Sequence, residues 1–201
     1  MSKKAIKDTS TEEKIKQAAR IVFTKKGFAA TRTRDIAEEA GINLALLNYY
    51  FRSKEKLFQQ VMMEKVQMIF GVLFPIANNS ETTLEEKVAL IVENYVELLL
   101  LNPDLPLFVL SEIRNNPEHF ENKVGINMIR QSSLISQLKE KRADVNPIQF
   151  LISLLGMTIF PFVASPMLHA AGLVEGNEFT ALMQQRKQLI PLWINSILDC
   201  K

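Results

Sequence analysis

The sequence predicts an all-α protein with two domains and about nine helices. Apolar residues recur at intervals of three and four along most of the 201-residue chain, which is the spacing of a buried helix face. Glycines and prolines stand where that pattern is interrupted. Residues 1–58 carry 13 Lys and Arg against 7 Asp and Glu, a net charge of +6, whereas residues 59–201 carry 11 against 15, a net charge of −4. We therefore expect a basic N-terminal domain followed by an acidic helical domain.

The composition excludes several classes of protein. Charged residues make up 23% of the chain and hydrophobic residues 47%, which is typical of a soluble globular protein. The single cysteine, Cys200, excludes a disulfide framework and a cysteine-based zinc site. Residues 1–14 are polar and charged and contain no apolar run of the kind found in a signal peptide. We therefore expect a cytoplasmic protein.

The first helix is predicted to begin at Ser10 and to follow a basic arm in residues 1–8. Ser10 and Glu13 have the spacing of a capping box. The arm fits either a solubilising tail or a non-specific phosphate contact. Gly27 is predicted to end this helix. Its expected buried face consists of Ile15, Ala18, Ala19, Val22 and Phe23.

The next stretch has the pattern of two short helices joined by a tight turn. The first helix is predicted to run from Thr33, as its N-cap, to Ala40. Gly41 favours the left-handed conformation that ends a helix, and Asn43 is suited to cap the second helix, Leu44–Tyr50. Two such helices form a helix-turn-helix, whose second helix can enter the major groove of DNA.

Helical spacing predicts that Leu47 and Phe51 lie on the core side of the second helix. The residues expected to face outward or toward its N-terminal end are Leu44, Ala45, Leu46, Asn48 and Tyr49. Apolar side chains at the start of a groove helix can contact thymine methyl groups, and Asn can pair with adenine. Tyr49 and Tyr50 fit either DNA contacts or half-buried packing. The Thr33 hydroxyl fits a cap alone, or a cap that also contacts a phosphate.

In this stretch the chain resembles the TetR-type transcriptional repressors. The matching features are Thr33, the run I-A-x-x-A-G-I from Ile36 to Ile42, the cap Asn43 and the run Y-Y-F-x-S-K-E-K-L-F from Tyr49. The resemblance covers residues 11–58. It implies a homodimer that represses transcription at a palindromic double-stranded DNA operator until a small molecule enters the C-terminal domain.

The resemblance also implies roles for individual residues. It makes Tyr50 and Lys54 phosphate contacts, favours a phosphate contact by Thr33, and places Arg34 where it can touch bases. The family usually has an aromatic residue at the position of Asn48. Asn48 therefore predicts a different operator preference for this chain.

The rest of the chain has the pattern of longer helices. Ser53 is predicted to cap the fourth helix, which would end near Pro75. The fifth helix is apolar over a wide arc, which predicts a central position. The predicted helices are Lys54–Leu73, Leu84–Leu101, Leu107–Asn116, Glu118–Lys141 and Asn177–Leu198, with a further apolar run between the last two.

That apolar run, from Val145 to Val174, contains no Asp, Glu, Lys or Arg. Its length is compatible with a membrane span. Pro161, Pro166 and several polar residues favour instead a helix that is buried on all sides. Burial on all sides in so small a chain indicates that a partner subunit supplies one wall, and no membrane partner is expected.

The last two helices are predicted to form the dimer interface, because adjacent apolar helices can pair with their copies as a four-helix bundle. The residues assigned to this interface are Leu155, Ile159, Phe179, Met183, Ile190, Trp193, Ile194 and Ile197. The resemblance implies the same arrangement.

Soft and aromatic side chains in the C-terminal domain are compatible with a mostly apolar ligand cavity or with simple core packing. The candidate effector-binding residues are Tyr95, Phe108, Asn127, Met128, Met157, Phe160 and His169. The run from Thr158 to Phe162, in which a proline interrupts an apolar helix, is the strongest local marker for such a cavity. The identity of the effector is left open.

The sequence contains no motif for catalysis or cofactor binding. Glu118, His119 and Glu121 have ligand-forming side chains, but this pattern is more typical of a solvated helix start than of a metal site. We therefore expect no enzyme activity, no cofactor and no metal.

Together these features predict a helix-turn-helix DNA-binding domain in residues 1–53 and an effector-binding and dimerisation domain in residues 54–201. Three alternatives stay open. The chain could be a ligand-binding or scaffold protein whose helix-turn-helix does not read DNA specifically, a membrane-tethered regulator, or an enzyme in its C-terminal domain. The second and third are disfavoured by the prolines of the apolar run and by the absence of a catalytic motif.

Overall fold

The computed structural model describes residues 3–115 and 129–199. These residues form α-helices and no strands, so the predicted all-α fold class is confirmed. The helices are α1 (Lys3–Ala30), α2 (Thr33–Glu39), α3 (Leu44–Tyr50), α4 (Lys54–Asn78), α5 (Leu84–Leu101), α6 (Leu105–Asn115), α7 (Ser133–Lys141), α8 (Pro147–Ala170) and α9 (Glu178–Asp199).

The chain forms two compact units, residues 1–67 and 68–201, and the boundary between them falls within α4. The core of the first unit is built from apolar side chains of α1, α2, α3 and the first part of α4. Its buried members include Ile15, Val22, Phe23, Ile36, Leu47 and Phe58. The ring centres of Phe23 and Phe58 are 4.9 Å apart and the rings meet edge to face, a favourable geometry for two aromatic side chains.

The start of α1 differs from the prediction. The helix begins at Lys3, so the expected basic arm is helical from that residue and Ser10 lies inside the helix instead of capping it. Residues 3–9 contain no Gly or Pro, and Ala and Lys are good helix formers, so nothing in this segment stops the helix. Regular helical geometry breaks at Gly27, where φ is 73° and ψ is 166°, as the sequence predicted.

Helix α4 extends past Pro75 to Asn78, further than predicted. Proline removes one helical hydrogen bond, here the one to the carbonyl of Gly71, and this loss can be tolerated in the last turn of a helix. The Asn78 side-chain amide then donates to the Phe74 carbonyl at 3.0 Å. The side chain of Asn78 is thus hydrogen-bonded to the main chain of the preceding turn.

Helix α5 has the predicted bounds and lies at the centre of the second unit, where it packs against α7, α8 and α9. A capping box fixes its start: the Thr83 hydroxyl accepts from the Glu86 amide at 3.2 Å, and the Glu86 carboxylate accepts from the Thr83 amide at 2.7 Å. In the first turn, the fully buried Lys87 donates to the Thr82 carbonyl and to Gln137 of α7. Burial lowers the pKa of Lys87.

Within the single chain the apolar run is not buried on all sides, and the partner subunit that the sequence predicted to supply one wall stays a prediction. Helix α8 buries one face, which includes Phe150, Leu154 and Phe162. A second face is exposed, with relative exposures of 54% to 64% for Ile148, Ile152, Met167 and Phe160. Helix α8 packs against α5, α6, α7 and α9, and these neighbours cover only one of its faces.

Two helices, α4 and α8, are long and apolar enough to cross a membrane by length and composition. Helix α8 nevertheless contains Pro161 and Pro166 and places Thr158 in its buried face, where the hydroxyl donates to the Leu154 carbonyl at 2.8 Å. These features fit a helix that packs within a folded domain.

The predicted dimer residues divide between the core and the surface. Met183, Ile190 and Ile194 lie in the core of the subunit, which corrects their assignment to an exposed interface. Trp193 and Ile197 are exposed, and Leu155, Ile159 and Phe179 are half-buried. Helix α9 is apolar on two faces, so the pattern did not distinguish the face that packs on α5 from the face that is left open.

Several predictions fall on residues 116–128, outside the part of the chain that the structure describes. They concern Asn127 and Met128 and the group Glu118, His119 and Glu121. Of the long helix predicted for Glu118–Lys141, the described part contains α7, which begins after Ser132. Within residues 3–115 and 129–199, no group of three or more His, Cys, Asp or Glu side chains could hold a metal ion.

Candidate nucleic-acid interface

The turn between α2 and α3 has the geometry that the sequence predicted. Gly41 adopts a φ of 60°, a conformation that is strained for residues with a side chain. The amides of Gly41 and Ile42 donate to the carbonyls of Glu38 and Ala37 and close the end of α2. The Asn43 side chain accepts from the Leu46 amide at 2.7 Å and caps α3. The helix-turn-helix and the predicted bounds of α3 are therefore confirmed.

Helix α3 anchors one face in the core and presents another to solvent. Leu47 is fully buried and the adjoining Phe51 is buried, as predicted. Ala45, Asn48 and Tyr49 are exposed, and the relative exposure of Tyr49 reaches 77%. Leu44 and Leu46 are half-buried, so they present only part of their side chains to the surface. The exposed face therefore carries one small apolar, one amide and one aromatic side chain.

The two tyrosines of α3 contact each other. The ring centres of Tyr49 and Tyr50 are 5.3 Å apart, and the rings meet at 89°. Tyr50 is half-buried, whereas Tyr49 projects into solvent. An edge-to-face arrangement of this kind is favourable for two aromatic rings.

The start of α2 corrects one prediction. Arg32, and not Thr33, occupies the N-cap position, and Thr33 is the first helical residue. The Asp35 carboxylate accepts from the Arg32 amide at 2.9 Å and lies 3.2 Å from the Lys26 ammonium. These two contacts, the amide first, lower the pKa of Asp35. The Asp35 carboxylate, on the third residue of α2, thus accepts from a main-chain amide at the start of the helix. Sequence reasoning had expected the Thr33 hydroxyl to provide such a cap. Thr33 is half-buried and Arg34 is exposed.

Lys54, the first residue of α4, has its ammonium group directed at the turn between α1 and α2. It donates to the main-chain carbonyls of Phe28 and Thr31, each at 3.0 Å. The same nitrogen lies 4.2 Å from the centre of the Phe28 ring. The phosphate contact that the family resemblance implies for Lys54 stays a prediction.

An ion-pair cluster joins α1 to the first part of α4. The Glu64 carboxylate accepts hydrogen bonds from Lys16 at 2.9 Å and from Arg20, and Glu13 pairs with the same two cations. Burial alone would raise the pKa of Glu64, but the hydrogen bonds from Lys16 and Arg20 outweigh it, and the pKa is lowered. These contacts bind the α1 cations, while Arg32, Arg34, Arg52 and Lys56 are exposed around the helix-turn-helix.

The predicted effector residues do not converge in the described part of the chain. Tyr95 and Phe108 are buried, and burial raises the pKa of Tyr95 to about 12. Met157 and Phe160 line an open groove of about 770 Å³ between α8 and α9. His169 is exposed, with Nδ1 2.8 Å from the Ser165 carbonyl oxygen. The groove lining includes Phe160 but not Tyr95, Phe108 or His169.

Arg186 is a lining residue of this groove to which sequence reasoning assigned no role. Its Nη2 donates to the Met157 carbonyl at 2.6 Å, and its guanidinium lies 5.4 Å from the centre of the Trp193 ring. Burial lowers the pKa of Arg186. The sequence could have indicated Arg186 by one signal. It is a single arginine in the otherwise apolar stripe of α9, and the neighbouring α8 contains a proline.

The comparisons with known proteins agree with the helix-turn-helix. Residues 15–61 match the family model of bacterial regulatory proteins of the tetR family. The chain is 23% identical over 195 residues to the probable HTH-type transcriptional regulator YttP of Bacillus subtilis, with 94% of each chain covered. It is 27% identical over 135 residues to the HTH-type transcriptional repressor KstR2 of Mycolicibacterium smegmatis, with 61% of this chain and 64% of that protein covered.

A solved structure shares the fold over most of the chain. The transcriptional regulator FadR from Bacillus subtilis, in complex with stearoyl-CoA, aligns with a TM-score of 0.57 at 19% identity, covering 89% of this chain and 96% of that chain. The described helices, the helix-turn-helix geometry and the family match all indicate the same class of protein. Residues 15–61 thus match the DNA-binding domain of the tetR family, and the chain is similar over most of its length to DNA-binding transcriptional regulators.

Proposed function

We propose that this protein is a homodimeric repressor that reads a palindromic operator with α3 and is released by a small apolar ligand. The observation that carries this proposal is the division of α3 into a core face, anchored by the fully buried Leu47, and an exposed face with Ala45, Asn48 and Tyr49. A short helix held in this way after a tight turn can place its exposed side chains against base edges in a major groove.

The side chains of the exposed face suit direct recognition of DNA sequence. The Asn48 amide can form two hydrogen bonds to an adenine edge, and the Ala45 methyl can contact a thymine methyl group. The contacts assigned to Thr33, Arg34, Leu44, Leu46 and Tyr50 remain part of the proposal. Because a two-fold dimer reads two half-sites, its two α3 helices would be about 34–36 Å apart on the duplex.

The dimer proposal is supported by the exposed apolar face of α8 and α9. Ile152, Phe160, Trp193 and Ile197 are all more than two-fifths exposed, which is unusual for large apolar side chains on two neighbouring helices of a soluble monomer. Leu155, Ile159 and Phe179 would contribute their half-exposed surfaces. Met183, Ile190 and Ile194 would support this face from within the subunit.

The ligand proposal assigns effector binding to residues 54–201 and DNA binding to residues 1–53. Support for an apolar ligand comes from the fold similarity to a regulator solved in complex with stearoyl-CoA. Long-chain acyl-CoA is therefore the first ligand class to test. Such a ligand can release DNA only if it binds one conformation of the dimer better than the other. We place this activity in the cytoplasm, where the operator is.

The test is a fluorescence-anisotropy titration of duplexes from the DNA upstream of the gene, with a shuffled duplex as control and a salt series. Repression by sequence-specific binding predicts tighter binding to one upstream duplex than to the shuffled one, with a negative salt slope. Equal affinity for both duplexes would instead favour the alternative, a ligand-binding or scaffold protein whose helix-turn-helix does not read DNA. Addition of stearoyl-CoA should weaken the specific complex; an unchanged affinity would reject this ligand class.

A further inference from the structure

We infer that the groove between α7 and the start of α8 binds an amphipathic anion, a molecule with an apolar chain and an anionic head. The inference deepens the ligand part of the proposed function, because it gives the effector a place and a charge. This groove shares no lining residue with the open groove between α8 and α9. Its lining includes Arg130, Ile135, Lys139, Asn146, Ile148 and Leu151.

The apolar surface of the groove comes from two helices. Ile135 of α7 is only 3% exposed and contributes a buried side chain. Ile148 and Leu151 are three residues apart, so they lie on one face of α8. The groove has a volume of about 510 Å³, which is within the range typical of small-molecule sites. An apolar chain bound here would remove part of this surface from water.

The charged groups of the described lining are all positive. Lys139 follows Ile135 by one helical turn, which places both side chains on the same face of α7. Arg130 belongs to a turn that is tied together just before α7, where the amide and the hydroxyl of the buried Ser132 both donate to the Ile129 carbonyl, at 3.1 and 2.7 Å. The described lining contains no Asp or Glu. An anionic head is therefore the group that this groove attracts.

These two cations differ from the next one in the chain. Lys141 is paired with both Glu85 and Asp199. Within residues 3–115 and 129–199, neither Arg130 nor Lys139 forms an ion pair, and both are exposed. A bound anion would thus gain two charged contacts without displacing an acidic side chain of the described chain.

The start of α8 adds to the positive potential. The N-terminus of a helix carries the positive end of its dipole, and the first turn of this 24-residue helix contains no acidic residue. Asn146 caps the helix by accepting from the Ile148 amide at 2.8 Å. Asn146 and Pro147 both line the groove, so this helix end borders it. Two cations and a helix N-terminus beside an apolar wall fit an anionic head on an apolar chain better than a neutral apolar molecule.

Isothermal titration calorimetry of the full chain tests the head group with decanoate, decyl phosphate and neutral decanol, which share one alkyl chain. We expect both anions to bind about tenfold more tightly than decanol at low salt, and this difference to shrink as salt is added. Tighter binding of decanoate would identify the head as a carboxylate, as in a fatty acid. Tighter binding of decyl phosphate would identify it as a phosphate, as in a phosphate ester or an acyl-CoA. Either order supports the inference.

Variants of the lining test where the anions bind. Arg130→Met and Lys139→Met should each weaken binding of both anions by about threefold, the effect of an exposed ion pair, and should leave decanol unaffected. Arg114→Met, at an exposed position of α6 outside the groove, is the matched control and should change nothing. Ile148→Gln should weaken all three ligands, whereas Leu101→Gln, at an exposed leucine outside the groove, should weaken none. Circular dichroism verifies that each variant is folded.

Two results would overturn the inference. One is equal affinity for decanol and the two anions, and the other is unchanged anion affinity in the double variant of Arg130→Met and Lys139→Met. If neither anion binds, the site is rejected whatever stearoyl-CoA does to the DNA complex. If the anions bind in this groove and leave the affinity for the specific duplex unchanged, the site stands and the proposed release of DNA by such a ligand fails.

Discussion

The Arg186 guanidinium donates to the main-chain carbonyl of Met157, and Pro161 is the reason that this carbonyl is available. In a regular helix the amide of residue 161 would donate to the carbonyl of residue 157, but proline has no N–H. Nη2 of Arg186 occupies the vacant position at 2.6 Å and thereby joins α9 to the backbone of α8. Its Nε is buried and has no hydrogen-bond partner, so the side chain is held there at some cost.

This relationship predicts that Arg186 and Pro161 act together on stability. Arg186→Met should lower the free energy of unfolding by about 1–3 kcal/mol, because it leaves a carbonyl without a donor. Pro161→Ala restores the helical N–H, so the same Arg186→Met change should cost less in that background. Urea unfolding of the four proteins measures this difference as a double-mutant cycle.

Gln185→Met, at an exposed position beside Arg186, is the matched control and should change stability little. An equal cost of Arg186→Met in both backgrounds would show that the arginine stabilises the protein by some route other than the vacant carbonyl.

The exposed face of α3 predicts two separable effects on DNA binding. Asn48→Ala should reduce the difference in affinity between the specific duplex and one with a substituted base pair, by about 1–3 kcal/mol at that position. Arg52→Ala should weaken binding to all duplexes alike and reduce the salt slope by about 0.9. Anisotropy titrations with a set of single-substitution duplexes separate these effects. If Asn48→Ala weakened every duplex by the same factor, Asn48 would not contact a base.

The exposed apolar face of α8 and α9 predicts the effect of charge on assembly. Ile197→Glu, at an exposed position of α9, should yield a folded monomer, because burying a carboxylate in a largely apolar contact would cost its hydration free energy. Light scattering gives the mass, and circular dichroism reports whether the helices persist.

Leu101→Glu is the control for this substitution, since Leu101 is an exposed leucine at the end of α5, outside α8 and α9. It should leave the oligomeric state unchanged. A dimer that persists in Ile197→Glu would remove Ile197 from the interface, and loss of the dimer in Leu101→Glu would mean that the interface lies elsewhere.

Local signals account for the elements that the sequence predicted well. Helices α3 and α5 have the predicted bounds because Asn43 and Thr83 cap them through hydrogen bonds to amides three residues away. Gly41 ends α2 for an equally local reason, its positive φ. Side-chain chemistry within four residues was sufficient in each case.

Contacts between distant residues could not be predicted from local patterns. Lys54 reaches carbonyls 26 and 23 residues earlier in the chain, and Arg186 reaches one 29 residues earlier, so no local pattern indicates either partner. Hydrophobic periodicity likewise identified α8 and α9 as helices. It could not distinguish a face that packs in the subunit from one that is left exposed, because apolar residues occupy both.

The Glu64 cluster predicts how stability depends on pH. The folded-state pKa of Glu64 is lowered from its ordinary value near 4.5, because hydrogen bonds from Lys16 and Arg20 outweigh the effect of burial. A carboxylate with a lowered pKa stabilises the fold above its unfolded pKa and loses that contribution as the pH falls through the folded pKa. Glu64→Gln should therefore cost about 0.5–1 kcal/mol at neutral pH, a value discounted for solvent screening at this partly exposed site.

The difference between Glu64→Gln and the unsubstituted protein should shrink as the pH falls below about 4.5, because Glu64 becomes protonated and then resembles glutamine. Urea unfolding from pH 7 to pH 3 measures this convergence. Glu38→Gln, at an exposed position of α2 outside the cluster, should differ little from the unsubstituted protein across the same range. A Glu64→Gln deficit that stays constant down to pH 3 would mean that the carboxylate charge does not stabilise the contact between α1 and α4, and that the glutamine differs in its packing instead.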